Sequence, residues 1–303
     1  MKGLKLVGIV FAILLVQSCS NNDHLEPEAI TLEMVLNGYD LWYVDYHNSV
    51  GSGDVPFMAN AFTLSFFNGN IYANNNLVGI GGTGDGVGIQ VGYYDTNGVL
   101  LEVDHNLDGF NDFLVEQIGE NEITLYNSVE NVTYYLEGYQ TNTFDYDQIF
   151  YGNIEYFLQE YVGWEKTNIS EVGVPNAFDY ENYLAFTPED ITTFYSSEDP
   201  LGTNIDLVKW GFVGSYEVFD VEGFEDLKIL TLDYDTGDNE EFELSVINDE
   251  QIELYHIDSG STYEFVGRGF LQYLKNNSNK KGVKPVRNET RKRTKIHRRT
   301  RVR

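Results

Sequence analysis

The segment from Asp104 to Asp112 has the residue types and spacing of a calcium-binding loop. Its order is D-x-N-x-D-G-x-x-D, which places oxygen-bearing side chains at alternate positions and a glycine where such a loop bends sharply. Calcium prefers oxygen ligands from carboxylates, amides and backbone carbonyls. The sequence therefore predicts a Ca²⁺ site whose ligands, in chain order, are Asp104, Asn106, Asp108, the Phe110 carbonyl, Asp112 and Glu116.

The same segment also fits a hairpin loop rich in turn-forming residues. A calcium loop of the EF-hand type carries a bidentate acid at its twelfth position, but Val115 stands there and Glu116 follows one place late. The flanking residues alternate as strands do, whereas an EF-hand needs a helix on each side. The calcium site and the ordinary acidic hairpin both stay open.

Cys19 is the only cysteine in the chain, so it has no disulfide partner. It follows an apolar run that is too short for a permanent membrane helix and fits a signal peptide. Residues 15–19 read L-V-Q-S-C and resemble the lipobox of bacterial lipoproteins, in which cleavage precedes a diacylated cysteine. We expect a signal peptide over 1–18 and a lipidated tether over 19–30. Ser20, by the same resemblance, favours sorting to the outer membrane; an ordinary or uncleaved signal peptide is the alternative.

Charge is distributed very unevenly along the chain. Residues 20–274 contain 47 acidic residues and only four basic ones, Lys166, Lys209, Lys228 and Arg268. Phosphate-bearing ligands and nucleic acids need Lys or Arg to offset their charge. No such residue occurs between Lys5 and Lys166, so nucleic acid is not an expected partner.

The C-terminal segment has the opposite charge. Residues 275–303 include 13 basic residues, one acidic residue, Glu289, and no Phe, Tyr or Trp. Such a composition cannot bury a core, so we expect disorder there. The expected partners of this basic tail are anionic polymers of the envelope or the acidic body of the protein itself.

The body contains an internal repeat at an offset of 129 residues. Both copies have apolar residues at the same positions with the alternation of β-strands, which predicts two copies of one supersecondary unit. Upstream the match continues with a shifted offset. Aligned pairs include Leu101 with Leu230, Phe113 with Phe242, Tyr134 with Tyr263, Leu64 with Leu184 and Phe66 with Phe186.

One amphipathic helix is predicted between the copies. Apolar residues follow the 3.6-residue period from Phe150 to Trp164, and Asp145 with Gln148 offers a capping box. The expected organisation is a first β-repeat with this helix over 31–168, a second β-repeat over 169–274, and the basic tail over 275–303.

This layout resembles the two-repeat, lipocalin-like lipoproteins of Gram-negative bacterial envelopes. The resemblance rests on the lipobox, on Leu41-Trp42-Tyr43, on an L-x-F strand followed by Asn68-Gly69, and on Val132-Thr133-Tyr134-Tyr135-Leu136. It covers most of 36–140 and, more loosely, 182–270. It implies a mainly β fold of two antiparallel meanders, each a barrel or half-barrel whose mouth could hold a small apolar ligand. It implies no catalytic residues.

The expected function is therefore that of a lipid-anchored binding or interaction protein of the outer membrane, facing the periplasm or the cell surface. The rival is an envelope hydrolase that uses paired carboxylates, which the abundance of acidic residues alone does not favour. The five histidines are scattered, and no G-x-S-x-G or H-E-x-x-H motif occurs. The H-x-G-H and basic phosphate-binding motifs of nicotinate-nucleotide adenylyltransferases are absent, so the sequence does not support that activity.

Overall fold

The computed structural model of the chain describes residues 30–80, 86–187, 192–271 and 293–298. The first part forms a closed antiparallel barrel in which each strand pairs with the next, and the last strand pairs with the first. Its strands are β1 (Leu41–Gly51), β2 (Thr63–Phe67), β3 (Asn70–Asn74), β4 (Ile89–Asn97), β5 (Leu100–His105), β6 (Gly109–Gln117), β7 (Glu122–Asn127) and β8 (Val132–Tyr139).

The second part repeats this arrangement. Its strands are β9 (Tyr161–Ile169), β10 (Tyr183–Phe186), β11 (Thr193–Ser197), β12 (Phe212–Val221), β13 (Phe224–Tyr234), β14 (Asn239–Asn248), β15 (Gln251–His256) and β16 (Thr262–Phe270). β16 pairs with β9 and closes the ring. The predicted mainly β fold of two related repeats is confirmed. Both repeats are closed barrels, whereas the sequence allowed either a barrel or a half-barrel for each.

Both barrels begin in the same way. A short helix, α1 (Leu32–Leu36) before the first barrel or α3 (Ile154–Gln159) before the second, leads into a strand that carries a fully buried tryptophan. The indole Nε1 of Trp42 donates to the Leu36 carbonyl at 3.0 Å, and that of Trp164 donates to the Leu158 carbonyl at 2.9 Å. The repeated unit therefore includes its leading helix.

The single helix expected between the barrels is wrong in its extent. The chain forms α2 (Tyr146–Gly152) and α3, separated by Asn153, whose φ of −118° and ψ of 33° are not helical. The Asn153 side chain donates to the carbonyl of Ile149, four residues earlier, and to the hydroxyl of Tyr43 in the first barrel. Because that side chain is used in a contact between distant segments, its helix-breaking role could not be inferred from periodicity.

The boundary between the two repeats, expected between residues 168 and 169, lies earlier in the chain. Tyr161 and Trp164 belong to β9, whose first six residues are all buried or half-buried, so the alternation that marks a half-exposed strand is lost there. α2 packs against β13 and β14, and α3 packs against β9 and β10, so both helices pack mainly on the second barrel. They also contact the first barrel, where Tyr156 of α3 meets Phe62. The N-cap was correct: Asp145 accepts a hydrogen bond from the backbone N–H of Gln148.

Side chains fill the interior of the first barrel. Trp42, Phe66 and Phe113 lie in its core, and the 3₁₀ turn Met58–Asn60, in the connection between β1 and β2, closes one end with Met58 fully buried. A barrel of eight strands is just wide enough for its side chains to fill or to hold one small ligand. Since side chains fill the first barrel, its ends are the places where a ligand could bind.

The two barrels share one apolar cluster. Phe62, Leu77 and Ile80 of the first barrel pack in the same cluster as Phe157 of α3 and Leu230 of the second barrel. In the part of the chain that the structure describes, no helix is long and apolar enough to cross a membrane.

The basic tail differs from the expected disorder at residues 293–298. There Lys295–Ile296 forms a short strand, β17, that runs parallel to β12. Opposite charge explains the difference, because Arg293 and Arg298 form ion pairs with carboxylates of the body. The other residues of the tail lie outside the described ranges.

Candidate functional site

A cavity of about 310 Å³ lies at the end of the first barrel that the turn Met58–Asn60 closes. Its walls are the turn itself, the C-terminal ends of β3 and β5 and the N-terminal end of β4. Neighbouring strands run in opposite directions, so these three strand ends lie side by side although they are separated in the sequence. Phe270, at the end of β16, adds a wall from the second barrel.

Side-chain amides form the polar part of the cavity lining. There are six of them: Asn60, Asn74, Asn75, Asn76, Gln90 and Asn106. Each amide offers both a donor and an acceptor. The lining residues that the structure describes include no Asp, Glu, Lys or Arg, in a chain with 48 acidic residues. The site therefore suits an uncharged ligand with hydrogen-bonding groups.

An aromatic stack lies on the apolar side of the cavity. The ring of Phe57 stacks on the imidazole of His105 with 4.9 Å between centroids and 11° between planes, and its edge contacts Phe113 at 6.0 Å. His105 is buried, and its Nδ1 accepts the backbone N–H of Asp108 at 3.1 Å. The imidazole thus holds the β5–β6 turn against the turn that closes the barrel.

The residues predicted to bind calcium lie on the β5–β6 hairpin. Asp104 pairs with Phe110, and Asp112 pairs with Glu102, so the two strands leave only residues 106–108 between them as a turn. A calcium loop instead curls round the ion and turns alternate side chains towards it. Asp104 and Asp112 are exposed residues of this ladder.

The remaining predicted ligands are also separated. The Asp108 carboxylate lies 3.3 Å from the Nδ1 of His105, Glu116 pairs with Thr124 of β7, and Asn106 lines the cavity. Among the described residues, no group of three or more His, Cys, Asp and Glu side chains is placed to hold a metal ion. The backbone has the hairpin that the alternative interpretation required, and the calcium site stays a prediction. Cys19 lies outside the described residues.

Glu160, a residue that sequence reasoning missed, joins the cavity wall to the second barrel. Its carboxylate is fully buried and accepts the backbone N–H groups of Val78 at 2.8 Å and Leu77 at 3.1 Å. Burial raises the pKa of this carboxyl to about 8. Val78 and its neighbour Gly79 line the cavity, and the Gly79 N–H donates to Asp249 of the second barrel. The β3–β4 connection is thus fixed by two acidic residues of the other barrel.

The missed residues had a weak signal in the sequence. The run Asn74-Asn75-Asn76 follows a predicted strand, which reads as turn chemistry and not as a ligand surface. Glu160 ends an apolar helix pattern, where an acid is normally exposed. Neither asparagine nor glutamate is a residue type from which burial is predicted, because the burial of these side chains depends on contacts with the other barrel.

A buried polar network occupies the second barrel. Lys166 donates to the Asp179 carbonyl at 2.6 Å, and burial lowers the pKa of its ammonium to about 8. Tyr263 donates to the Asp179 carboxylate, as Tyr134 at the equivalent position donates to Asp54 in the first barrel. The Tyr–Asp pair is therefore part of the repeat and ties the connection after the first strand of each barrel to the last strand.

No protein-family model matches this sequence, and a search of curated proteins finds no match either.

Proposed function

We propose that this protein is a lipid-anchored binding protein of the bacterial envelope that holds a small uncharged ligand in the cavity at the mouth of its first barrel. The observation that carries the proposal is the lining of that cavity, six amides and an apolar floor without a charged side chain among its described residues. The lipocalin-like resemblance of the sequence agrees with ligand binding at a barrel mouth.

The size of the cavity limits the ligand. Small-molecule sites typically enclose roughly 300–1,000 Å³, and the volume of about 310 Å³ lies at the lower end of that range. Phe57 and Phe270 offer apolar surface, whereas the amides offer hydrogen bonds at the rim. A compact molecule with an apolar body and a few uncharged polar groups fits both.

Binding is favoured over hydrolysis by the same lining. A glycosidase-type site requires two carboxyl groups separated by roughly 5–10 Å across the bond that is cleaved. The described residues around the cavity include no carboxylate, so they do not supply that pair. This cavity therefore does not support the hydrolase alternative.

The cavity can be tested by filling it. Val91 lines the cavity, and Val91→Trp should occupy the space that a ligand needs. The probe is N-phenyl-1-naphthylamine, an uncharged dye that fluoresces in apolar sites. We expect saturable binding of one dye molecule per chain, and at least a tenfold weaker affinity in the variant.

Val99→Trp is the matched control, since it makes the same change at an exposed position outside the cavity. It should bind the dye as the unchanged protein does. Equal titration curves for the unchanged protein and for both variants would show that the dye binds elsewhere and would contradict the proposal.

The anchor is tested independently through Cys19. Cys19→Ser removes the only thiol to which a lipid could be attached, so the variant should stay in the aqueous phase after detergent phase separation or accumulate as precursor. Labelled palmitate should appear in the unchanged protein alone. Equal incorporation of label in both proteins would overturn the lipid anchor without affecting the cavity.

A further inference from the structure

Part of one backbone edge of strand β12 is not paired with any strand of the second barrel that the structure describes. β11 pairs with β12 only from Phe212 to Ser215, whereas β13 follows the other edge of β12 as far as Val221. The later residues of β12 therefore point backbone groups away from the barrel. An unpaired strand edge is a template on which another extended segment can add.

Residues 293–298 occupy this edge. Lys295 pairs with Asp220, and Ile296 pairs with Val221. The Asp220 N–H donates to the Thr294 carbonyl at 3.1 Å, and the Glu222 N–H donates to the Ile296 carbonyl at 2.9 Å. The side chain of Ile296 packs on a small apolar cluster formed by Val221, Leu227 and Ile229.

Arg293 anchors the N-terminal side of the segment. Its Nη1 lies 2.6 Å from the Glu155 carboxylate, and its Nε lies 2.9 Å from that of Asp220. Its Nη2 donates to the carbonyls of Tyr151 and Gly152, both at 3.1 Å, where α2 ends. The exposed carbonyls at a helix C-terminus favour a cation. The Arg293 side chain, only 12% exposed, therefore has an acceptor at each of its three nitrogens, although Lys228 of the body shares the same Asp220 oxygen at 2.7 Å.

Arg298 anchors the other side. Its guanidinium forms a two-pronged ion pair with the buried carboxylate of Glu243, with distances of 2.6 Å and 2.8 Å. The guanidinium carbon lies 5.0 Å from the centre of the Phe224 ring. Such a forked pair is specific to arginine, because the compact ammonium of lysine cannot reproduce its geometry.

These contacts define a groove, formed by the free edge of β12, the apolar cluster and the carboxylates of Glu155, Asp220 and Glu243. We propose that this groove is a recognition site for an extended basic segment of a partner protein, with the pattern Arg-x-x-Ile-x-Arg, and that residues 293–298 compete for it from within the same chain. The proposal concerns the second barrel and does not depend on the ligand cavity of the first.

The pattern follows from the contacts. The two arginines require acceptors at fixed places, and the isoleucine requires the apolar cluster between them. Strand addition supplies affinity through the backbone whatever the sequence, so these three side chains supply the specificity. The acidic body attracts basic segments in general, and the groove selects among them.

The test uses the full chain and a fluorescein-labelled peptide with the sequence of residues 293–298. In the unchanged protein the internal segment competes, so fluorescence anisotropy should report weak binding. The double variant Arg293→Ala with Arg298→Ala weakens the internal segment, and its affinity for the peptide should rise at least tenfold. Adding Glu243→Gln should remove most of that gain.

Three controls separate recognition from charge alone. Glu102→Gln removes one exposed acid of the first barrel and should leave peptide binding unchanged. A scrambled peptide of the same composition, and a peptide with both arginines replaced by lysine, should bind at least fivefold more weakly. If the double alanine variant does not fold, Arg293→Lys with Arg298→Lys keeps the charge and loses the forked contacts, so it should also gain affinity.

The outcomes decide the proposal. Equal binding of the scrambled and correct peptides, or an unchanged affinity after Glu243→Gln, would reduce the groove to general charge attraction and overturn it. Binding of the labelled peptide to the unchanged protein as tightly as to the variants would overturn the competition. Concentration-dependent dimers held by residues 293–298 would instead assign the groove to a second copy of the chain.

Discussion

In the unchanged protein, the free energy of unfolding should fall as the pH rises from about 4.5 to about 8, because Glu160 loses its proton. Replacing Glu160 with Gln is expected to remove this pH dependence. The Glu160 carboxyl lies between the barrels without exposure to solvent and accepts two backbone hydrogen bonds. Burial is the main cause that raises its pKa from 4.5 to about 8, and the two N–H groups oppose that shift only in part.

The direction follows from the protons bound in each state. Below about pH 4.5 the carboxyl is neutral in both the folded and the unfolded chain, and above about pH 8 it is charged in both. Between these values the folded protein holds a proton that the unfolded chain has released. The free energy of unfolding therefore falls with rising pH, by about 1.4 kcal/mol for each pH unit.

The residue after Glu160 also joins this contact to the second barrel. Tyr161 follows it in β9, and its hydroxyl donates to the Asp249 carbonyl, while Asp249 and Glu250 lie in the turn between β14 and β15. Burial disfavours the charged form of Glu160, so deprotonation loosens the contact between the β3–β4 connection and the second barrel.

Urea unfolding at pH 5, 6.5 and 8 measures the effect. The stability of Glu160→Gln relative to the unchanged protein should increase at each step, because the other titrating groups are common to both proteins. Glu102→Gln, a change of the same kind at an exposed position, should run parallel to the unchanged protein. Parallel profiles for Glu160→Gln as well would contradict the assignment.

Replacing Trp164 with Ala should cost about 3–5 kcal/mol of folding stability, and replacing Trp42 should cost a similar amount. Each indole is fully buried, and each donates to a carbonyl at or near the C-terminal end of the helix that precedes its barrel. The substitution therefore leaves a cavity in the core and also an unsatisfied carbonyl.

Phenylalanine separates the two contributions. Trp164→Phe keeps most of the apolar surface but leaves the Leu158 carbonyl without its donor, so a smaller cost of about 1–3 kcal/mol is expected. Trp210 is half-buried on the outside of the second barrel, and Trp210→Ala is the control with a lower expected cost. Equilibrium denaturation followed by circular dichroism measures all four variants. A cost below about 1 kcal/mol for Trp42→Ala or Trp164→Ala would contradict the equivalence of the two barrels.

Local signals in the sequence were sufficient for the class of fold. Alternating apolar residues specify strands because one face of each strand must be buried, and the repeat at an offset of 129 specifies that the unit occurs twice. The turn at Asn68-Gly69 was also predictable, because Asn and Gly tolerate the positive φ angles of a tight hairpin best. In the structure these angles are 50° and 78°. Asp145 caps α2 through a bond to a residue only three positions later.

Only the tertiary structure decided the closure of the barrels, the break at Asn153, the cavity and the position of the basic segment. Each depends on contacts between residues far apart in the chain: Tyr43 with Asn153, Leu77 with Glu160, and Asp220 with Arg293. Periodicity reports how a residue relates to its neighbours in one element, and it cannot report which distant group will bury a carboxylate or accept from an amide. The amides of the cavity are turn residues in the sequence and become a binding surface only when alternating strands bring their ends to one side.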